Sequence, residues 1–162
     1  MSDRVAVFND GAIQQIDAVE HMYEAPANRF VASFIGDSTM LRGTVRAAQV
    51  DDGNERCGIL LTDGRVLIGL NVNGAAVGAE VEACIRPERI VVHTRVPSER
   101  GNVLQAQVQN IIYFGDHLRL LCGIGEGQSA ATVKLPLSAP EVPRAGEAVW
   151  LELAPELTRI YA

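Results

Sequence analysis

One lysine, Lys134, stands in the whole of this 162-residue sequence, and arginine carries the rest of its positive charge. A surface that tracks nucleic-acid phosphates needs clustered Lys and Arg. The arginines here are scattered and the formal net charge is −6, which argues against nucleic acid as the main partner. Aromatic residues are also few, at 5% with a single Trp, which leaves no stacking platform for single strands and demands an aliphatic core. Only three cysteines occur, Cys57, Cys84 and Cys122, far apart and without a Cys-x-x-Cys spacing. Neither a disulfide framework nor a zinc site follows, and they read as small apolar residues in a reducing cytosol. No stretch reaches the roughly 18 apolar residues of a membrane helix, and no basic-then-apolar leader opens the chain. The expectation is a soluble, cytoplasmic chain that reaches a membrane only through a partner.

Catalytic equipment is missing in the same way. Glu80 and Glu82 flank a strand and Asp51 and Asp52 sit in a turn, whereas carboxylates that do acid–base work need a pocket that shifts their pKa values. His21, His93 and His117 have no ligand partner at metal spacing. No serine sits in a Gly-x-Ser-x-Gly elbow. The glycine-rich run at residues 123–127 is followed by no helix and no Lys-Ser/Thr, so it reads as a hairpin tip and not a phosphate cradle. Arg86, Arg89 and Arg119 are the candidates for converging on a small anion.

What is present is mostly β grammar. Residues 5–8 and 12–16 flank Asn9-Asp10-Gly11, a strong hairpin signal. Val19, Met22 and Tyr23 then stand at helical spacing after Asp17, the expected cap, and Pro26 ends that helix. A second short helix over residues 28–35 aligns Phe30, Val31, Phe34 and Ile35, with Gly36 as its C-cap. From Thr39 on, strands are expected at 40–50, 58–61, 66–68, 81–86, 91–92, 103–113, 117–122, 130–135, 148–153 and 160–161, punctuated by turns such as Asp63-Gly64 and Gly115-Asp116. Many short strands with glycine turns indicate a small barrel or sandwich.

The centre of this pattern is Cys84-Ile85-Arg86-Pro87-Glu88-Arg89-Ile90. Val81, Ala83 and Ile85 alternate with Glu80, Glu82, Cys84 and Arg86, as in a half-buried strand. Pro87 ends it, and an apolar strand resumes after the turn at Glu88 and Arg89.

Two blocks resemble one family. Residues 1–17, with Val5-Ala6-Val7-Phe8-Asn9-Asp10-Gly11, and then Tyr23-x-x-Pro26 and Asn28-Arg29-Phe30-Val31-Ala32-x-Phe34-Ile35-Gly36, resemble the end of an ABC-transporter ATPase domain of the sugar, polyamine and ferric-iron importer type. Asp17 departs from the glycine usual there. Ile85-Arg86-Pro87-Glu88-Arg89-Ile90 is similar to the Arg-Pro-Glu signature of the OB-like TOBE domain of the same ATPases, and Tyr113-Phe114-Gly115-Asp116-His117 to its later strand–glycine–strand turn. The resemblance implies an ATPase remnant over 1–36 and a TOBE, OB-like regulatory barrel over 37–162. It implies a mainly β fold, self-association as a homodimer, membrane permease subunits as partners of the parent, a possible small regulatory ligand, and a place at the inner membrane's cytoplasmic side. Polyamine is the solute it favours, ahead of ferric iron and sugars. The sequence contains no Gly-x-x-x-x-Gly-Lys-Ser/Thr loop, Ser-Gly-Gly signature or switch histidine, so no cofactor is expected here and Mg-ATP only in a full-length parent. The chain then reads as a C-terminal fragment whose residues 1–36 leave apolar surface uncovered. The competing expectation is a stand-alone OB-like module that binds a small anion or an oligonucleotide.

Overall fold

A computed structural model describes residues 3–51, 54–98, 101–125 and 129–162. Met1, Ser2, the Asp52-Gly53 tip of the expected 51–54 turn, Glu99 and Arg100 of the polar loop, and Glu126-Gly127 of the glycine-rich loop lie outside the described residues.

The chain opens with the hairpin β1 (Val5–Asn9) and β2 (Ala12–Asp17). Asp10 and Gly11 both take positive φ, 49° and 75°, the requirement of the tight turn that joins them. Two short helices follow, α1 (Val19–Glu24) and α2 (Arg29–Ile35). Asp17, expected to cap α1, stands one residue early. The cap position is Ala18, and the Asp17 carboxylate instead accepts from the Ala18 N–H at 2.9 Å and holds His21 one turn on. Asn28 does cap α2, accepting from the Val31 N–H at 2.9 Å. Gly36 ends α2 with extended φ, so handedness does not call for it, and a Cβ there would lie a tight 3.2 Å from the Tyr23 ring. Val7, Met22 and Val31, with Val5, Phe30 and Ile35 against them, give this block its own small apolar cluster.

Ten strands follow: β3 (Thr39–Asp51), β4 (Asn54–Leu61), β5 (Val66–Asn71), β6 (Glu80–Ile85), β7 (Val91–His93), β8 (Val103–Tyr113), β9 (His117–Ile124), β10 (Ser129–Pro136), β11 (Ala148–Glu152) and β12 (Arg159–Tyr161). The expected barrel is there, closed in the order β12-β5-β4-β3-β6, and a second, open sheet runs β10-β9-β8-β11-β7. One aliphatic core runs through both, from Leu41 and Ile59 to Leu120 and Leu151.

The two sheets are built as two copies of one plan. In the first, Val45 faces Ile59 just before a bulge and Leu41 faces Ala83; in the second, Val108 faces Cys122 just before a bulge and Leu104 faces Leu151. Gly78 and Gly146 precede β6 and β11 with matching φ of 90° and 91°. Each of these strands then runs into a Pro-Glu 3-10 turn, Pro87–Arg89 or Pro155–Leu157. The final strands are exchanged. β7, which continues the first copy, pairs with β11 of the second, while β12 pairs with β5 and β6 of the first. The entrance residues are exchanged as well: the Thr39 hydroxyl donates to the Thr132 carbonyl and accepts from its N–H, and the Asn102 amide does the same with Ile68.

Only the first copy closes. β12 lies parallel to β5, with the Leu70 and Val72 N–H groups donating to the Thr158 and Ile160 carbonyls at 2.8 and 3.0 Å. Gly69 permits that approach, since a Cβ on it would stand 2.7 Å from the Thr158 oxygen. By register the second copy has Val133 and Pro136 where the first has Gly69 and Val72. A branched side chain and a missing N–H thus occupy two of the positions that closure uses.

Candidate functional site

The strand leading into the Arg-Pro-Glu corner departs from simple alternation. Val81, Ala83 and Ile85 are buried as the spacing predicts, yet Cys84 and Arg86 on the opposite face are buried too. Ala32 of α2 and Tyr161 of β12 pack with Cys84 over that face, and burial pushes the Cys84 thiol up. Arg86, only 8% exposed, is the one buried charged side chain among the described residues. Its Nη1 lies within hydrogen-bond distance of the Ala32, Gly36 and Asp37 carbonyls and the Ser38 hydroxyl, at 2.8, 3.0, 3.1 and 2.7 Å. Its Nη2 donates to the Tyr23 carbonyl at 3.2 Å, and the guanidinium lies 4.2 Å from the centre of the Tyr23 ring.

The rest of the corner reaches the same way. Ile85 is in the core and Pro87 is buried at the first position of its turn. Glu88 accepts from the Tyr23 hydroxyl; burial, followed by that contact, pushes the phenol up to about 12. Arg89 pairs with Glu24 at 2.8 Å. From the far end of the chain, Arg159 donates to the Glu24 carbonyl at 3.1 Å and the Tyr161 hydroxyl to the Pro26 carbonyl at 2.8 Å. These residues enclose a crevice of about 160 Å³ lined by Tyr23, Glu24, Arg86, Arg89, Glu156 and Arg159. Of the three candidate anion contacts, Arg86 and Arg89 line this crevice, each already engaged by α1 or α2. Arg119 is on β9, pairs with Asp37 at 2.9 Å and lies 4.5 Å from the centre of the Phe114 ring. Arg159 and Tyr161 were invisible as site residues, because nothing local in the sequence announces contacts made 135 residues away.

A wider groove of about 620 Å³ opens beside the barrel, where Glu82 bridges Arg29 and Arg42 at 3.2 Å each, with Glu80 and Thr44 beside them. Each histidine contacts a carboxylate: His21 Asp17, His93 Glu152 at 2.6 Å and His117 Asp116 at 2.6 Å. Their hydrogen bonds hold the Asp17 and Asp116 carboxyls below the usual range. Among the described residues no three His, Cys, Asp or Glu gather as metal ligands, and no helix is long and apolar enough to cross a membrane. Phe8, Ile13, Ile16, Val19 and Phe34 form exposed apolar surface on the hairpin and helices.

Comparison with known proteins places this geometry. The TOBE domain family matches residues 83–160, from within β6 to within β12. The spermidine/putrescine import ATP-binding protein PotA of Rubrobacter xylanophilus is 40% identical over 129 residues, covering 78% of this chain and 32% of that protein. Its counterpart in Frankia alni is 32% identical over 162 residues, 96% of this chain and 35% of that protein. The Pseudomonas fluorescens protein of the same name is 34% identical over 144 residues, 89% and 37%. The chain thus spans about a third of the length of the curated relatives it matches. Among solved structures, the cytoplasmic molybdate-binding protein ModG superposes with a TM-score of 0.68 at 19% identity, over 76% of this chain and 94% of that one. At that identity the likeness is one of fold, here mainly β and OB-like.

Proposed function

Residues 83–160 belong to the TOBE domain family, and on that basis we propose that the chain is the C-terminal regulatory part of the ATP-binding subunit of an ABC importer for polyamines. The observation that carries this reading is continuity. The Frankia alni relative aligns over 96% of the chain, so the hairpin-and-helix block and the strand unit occur there together and in this order. The named solute of the relatives, spermidine and putrescine, supplies the polyamine assignment. In this reading the exposed Phe8, Ile13, Ile16, Val19 and Phe34 seat against the remainder of the ATPase domain. The strand unit hangs on the cytoplasmic side of the membrane, contacts a second copy, and modulates the permease-bound ATPase. Arg86 and Arg89, which line the small crevice, and Arg119 on β9 are the candidate contacts for a small regulatory ligand.

ATP hydrolysis belongs elsewhere in the parent. Phosphoryl transfer needs a phosphate-cradling loop with its lysine, and Lys134 in Thr-Val-Lys-Leu-Pro is the sole lysine here. The purified chain is expected to release phosphate from ATP no faster than a buffer blank. The deciding experiment reconstitutes the full-length subunit containing this chain with its permease in proteoliposomes. Spermidine or putrescine, presented with the cognate binding protein, should stimulate ATP hydrolysis and uptake. Stimulation by a sugar or ferric iron instead would overturn the polyamine assignment, and no coupled transport of any solute would overturn the importer reading.

A further inference from the structure

The duplication inside the strand unit provides an internal control for the Arg-Pro-Glu corner. The first corner reads Ile85-Arg86-Pro87-Glu88-Arg89 and the second, at the same structural position, Leu153-Ala154-Pro155-Glu156-Leu157. Ile85 and Leu153 are both buried, and both Pro-Glu pairs begin a three-residue 3-10 turn entered from similar backbone, φ −70° and ψ 138° at Arg86 against φ −57° and ψ 129° at Ala154. The turn therefore forms with alanine in place of Arg86 and leucine in place of Arg89. The two arginines are an addition to the corner, not a condition for it.

All of the Arg86 side-chain hydrogen-bond partners lie in residues 23–38, outside the strand unit. Four of the five acceptors are backbone carbonyls, those of Tyr23 in α1, Ala32 in α2, and Gly36 and Asp37 just past α2. Carbonyls at a helix C-terminus lack intrahelical partners and carry the negative end of the helix dipole. One buried guanidinium thus serves the ends of both short helices at once. Helices of six and seven residues have little stability of their own. Other links cross this joint as well: the ion pairs Arg89–Glu24, Arg29–Glu82 and Arg119–Asp37, the Tyr23–Glu88 bond, Arg159 and Tyr161 donating to the Glu24 and Pro26 carbonyls, and Ala32 packed with Cys84 and Tyr161. Of all these side chains, Arg86 is the one that bonds the carbonyls at the ends of both helices.

We infer that Arg86 is a latch: it holds residues 3–38 onto the strand unit as a separately releasable block, without being required for the strand unit itself. This deepens the regulatory reading, on which it rests for its purpose, by naming the joint through which the barrel and the ATPase side of the subunit are coupled. The physical claim concerns this chain alone, so failure of the importer assignment would leave it standing, and its own failure would leave that assignment untouched.

Native-state amide exchange on the full 162-residue chain tests it, comparing wild type with Arg86→Ala and Arg86→Lys. Met22, Ala25 and Ala32, whose N–H groups donate to Ala18, His21 and Asn28 carbonyls, report the block; Ile59 and Leu120 report the two sheets. In Arg86→Ala the three helical amides should exchange at least about tenfold faster, as charge-assisted bonds are lost, with Ile59 and Leu120 unchanged. Arg86→Lys keeps the charge but not the fork and should recover only part of the protection. Equal acceleration in helices and sheets would mean that Arg86 belongs to the global fold, and unchanged helical amides that it holds nothing; either overturns the latch. Full protection in Arg86→Lys would overturn the role of the forked geometry.

Discussion

Pro87 is buried at the first position of its 3-10 turn, where its fixed φ suits the turn and no donor is sacrificed. Replacing it with Ala frees the unfolded chain and is expected to lower the urea midpoint by an amount equivalent to about 1 kcal/mol. Tyr23 gives a pH signature at the same corner. Its folded pKa is raised from 10.0 to about 12, so its contribution is fully present below the unfolded value and is lost as pH rises through the folded one. Burial raises Tyr161 in the same direction. Protease sites within residues 3–38 should therefore become accessible between about pH 10 and 12, ahead of the loss of sheet signal, and Tyr23→Phe should blunt that transition. At this scale the sequence named Pro87, Ile85 and the turn correctly. It read Arg86 as part of the polar face of a half-buried strand and as a candidate anion contact, because the carbonyls it serves lie some 50 residues earlier and only folding brings them over Cys84.

Gly69 separates a closed barrel from an open sheet. Gly69→Val installs the residue that its counterpart Val133 already is, and the new side chain would meet the Thr158 carbonyl and Ile160. The expected outcome is a loss of about 1–3 kcal/mol for overpacking, with faster amide exchange at Leu70 and Val72, the donors to β12. Unaltered exchange there would mean that closure does not depend on the glycine. Strand existence was readable from alternation and Asp-Gly or Asn-Gly turns, and most strands fall where the pattern put them. Which strands share a sheet was not readable. β7 and β12 have only three residues each, and their pairing is set by shape around Gly69 and Pro136 and not by any local pattern.

Because each sheet borrows its last strand from the other copy, the strand unit should unfold as one. Trp150 on β11 is the single Trp and reports the open sheet. Ile59→Ala, in the barrel core, should still shift the Trp150 fluorescence transition, and by the same amount as the far-UV circular dichroism transition. Leu120→Ala in the second sheet should act likewise, each costing about 2–5 kcal/mol as fully buried aliphatic residues. Separate transitions for the two probes would show that strand exchange does not couple the sheets.

Composition, turn chemistry and period-two alternation are local properties, and they determined the secondary structure, the aliphatic core, the absence of a nucleotide-binding loop and the two family-like motifs. The duplication, the reciprocal exchange of β7 and β12, and the docking of two helices on Arg86 came only with the tertiary structure. Between the copies mainly buried positions and bends correspond, such as Val45 with Val108 and Gly78 with Gly146, while the exposed residues between them differ freely. Packing constrains volume and backbone angle and leaves identity open, so two copies of one plan can lie in a single chain without looking alike until their cores are superposed.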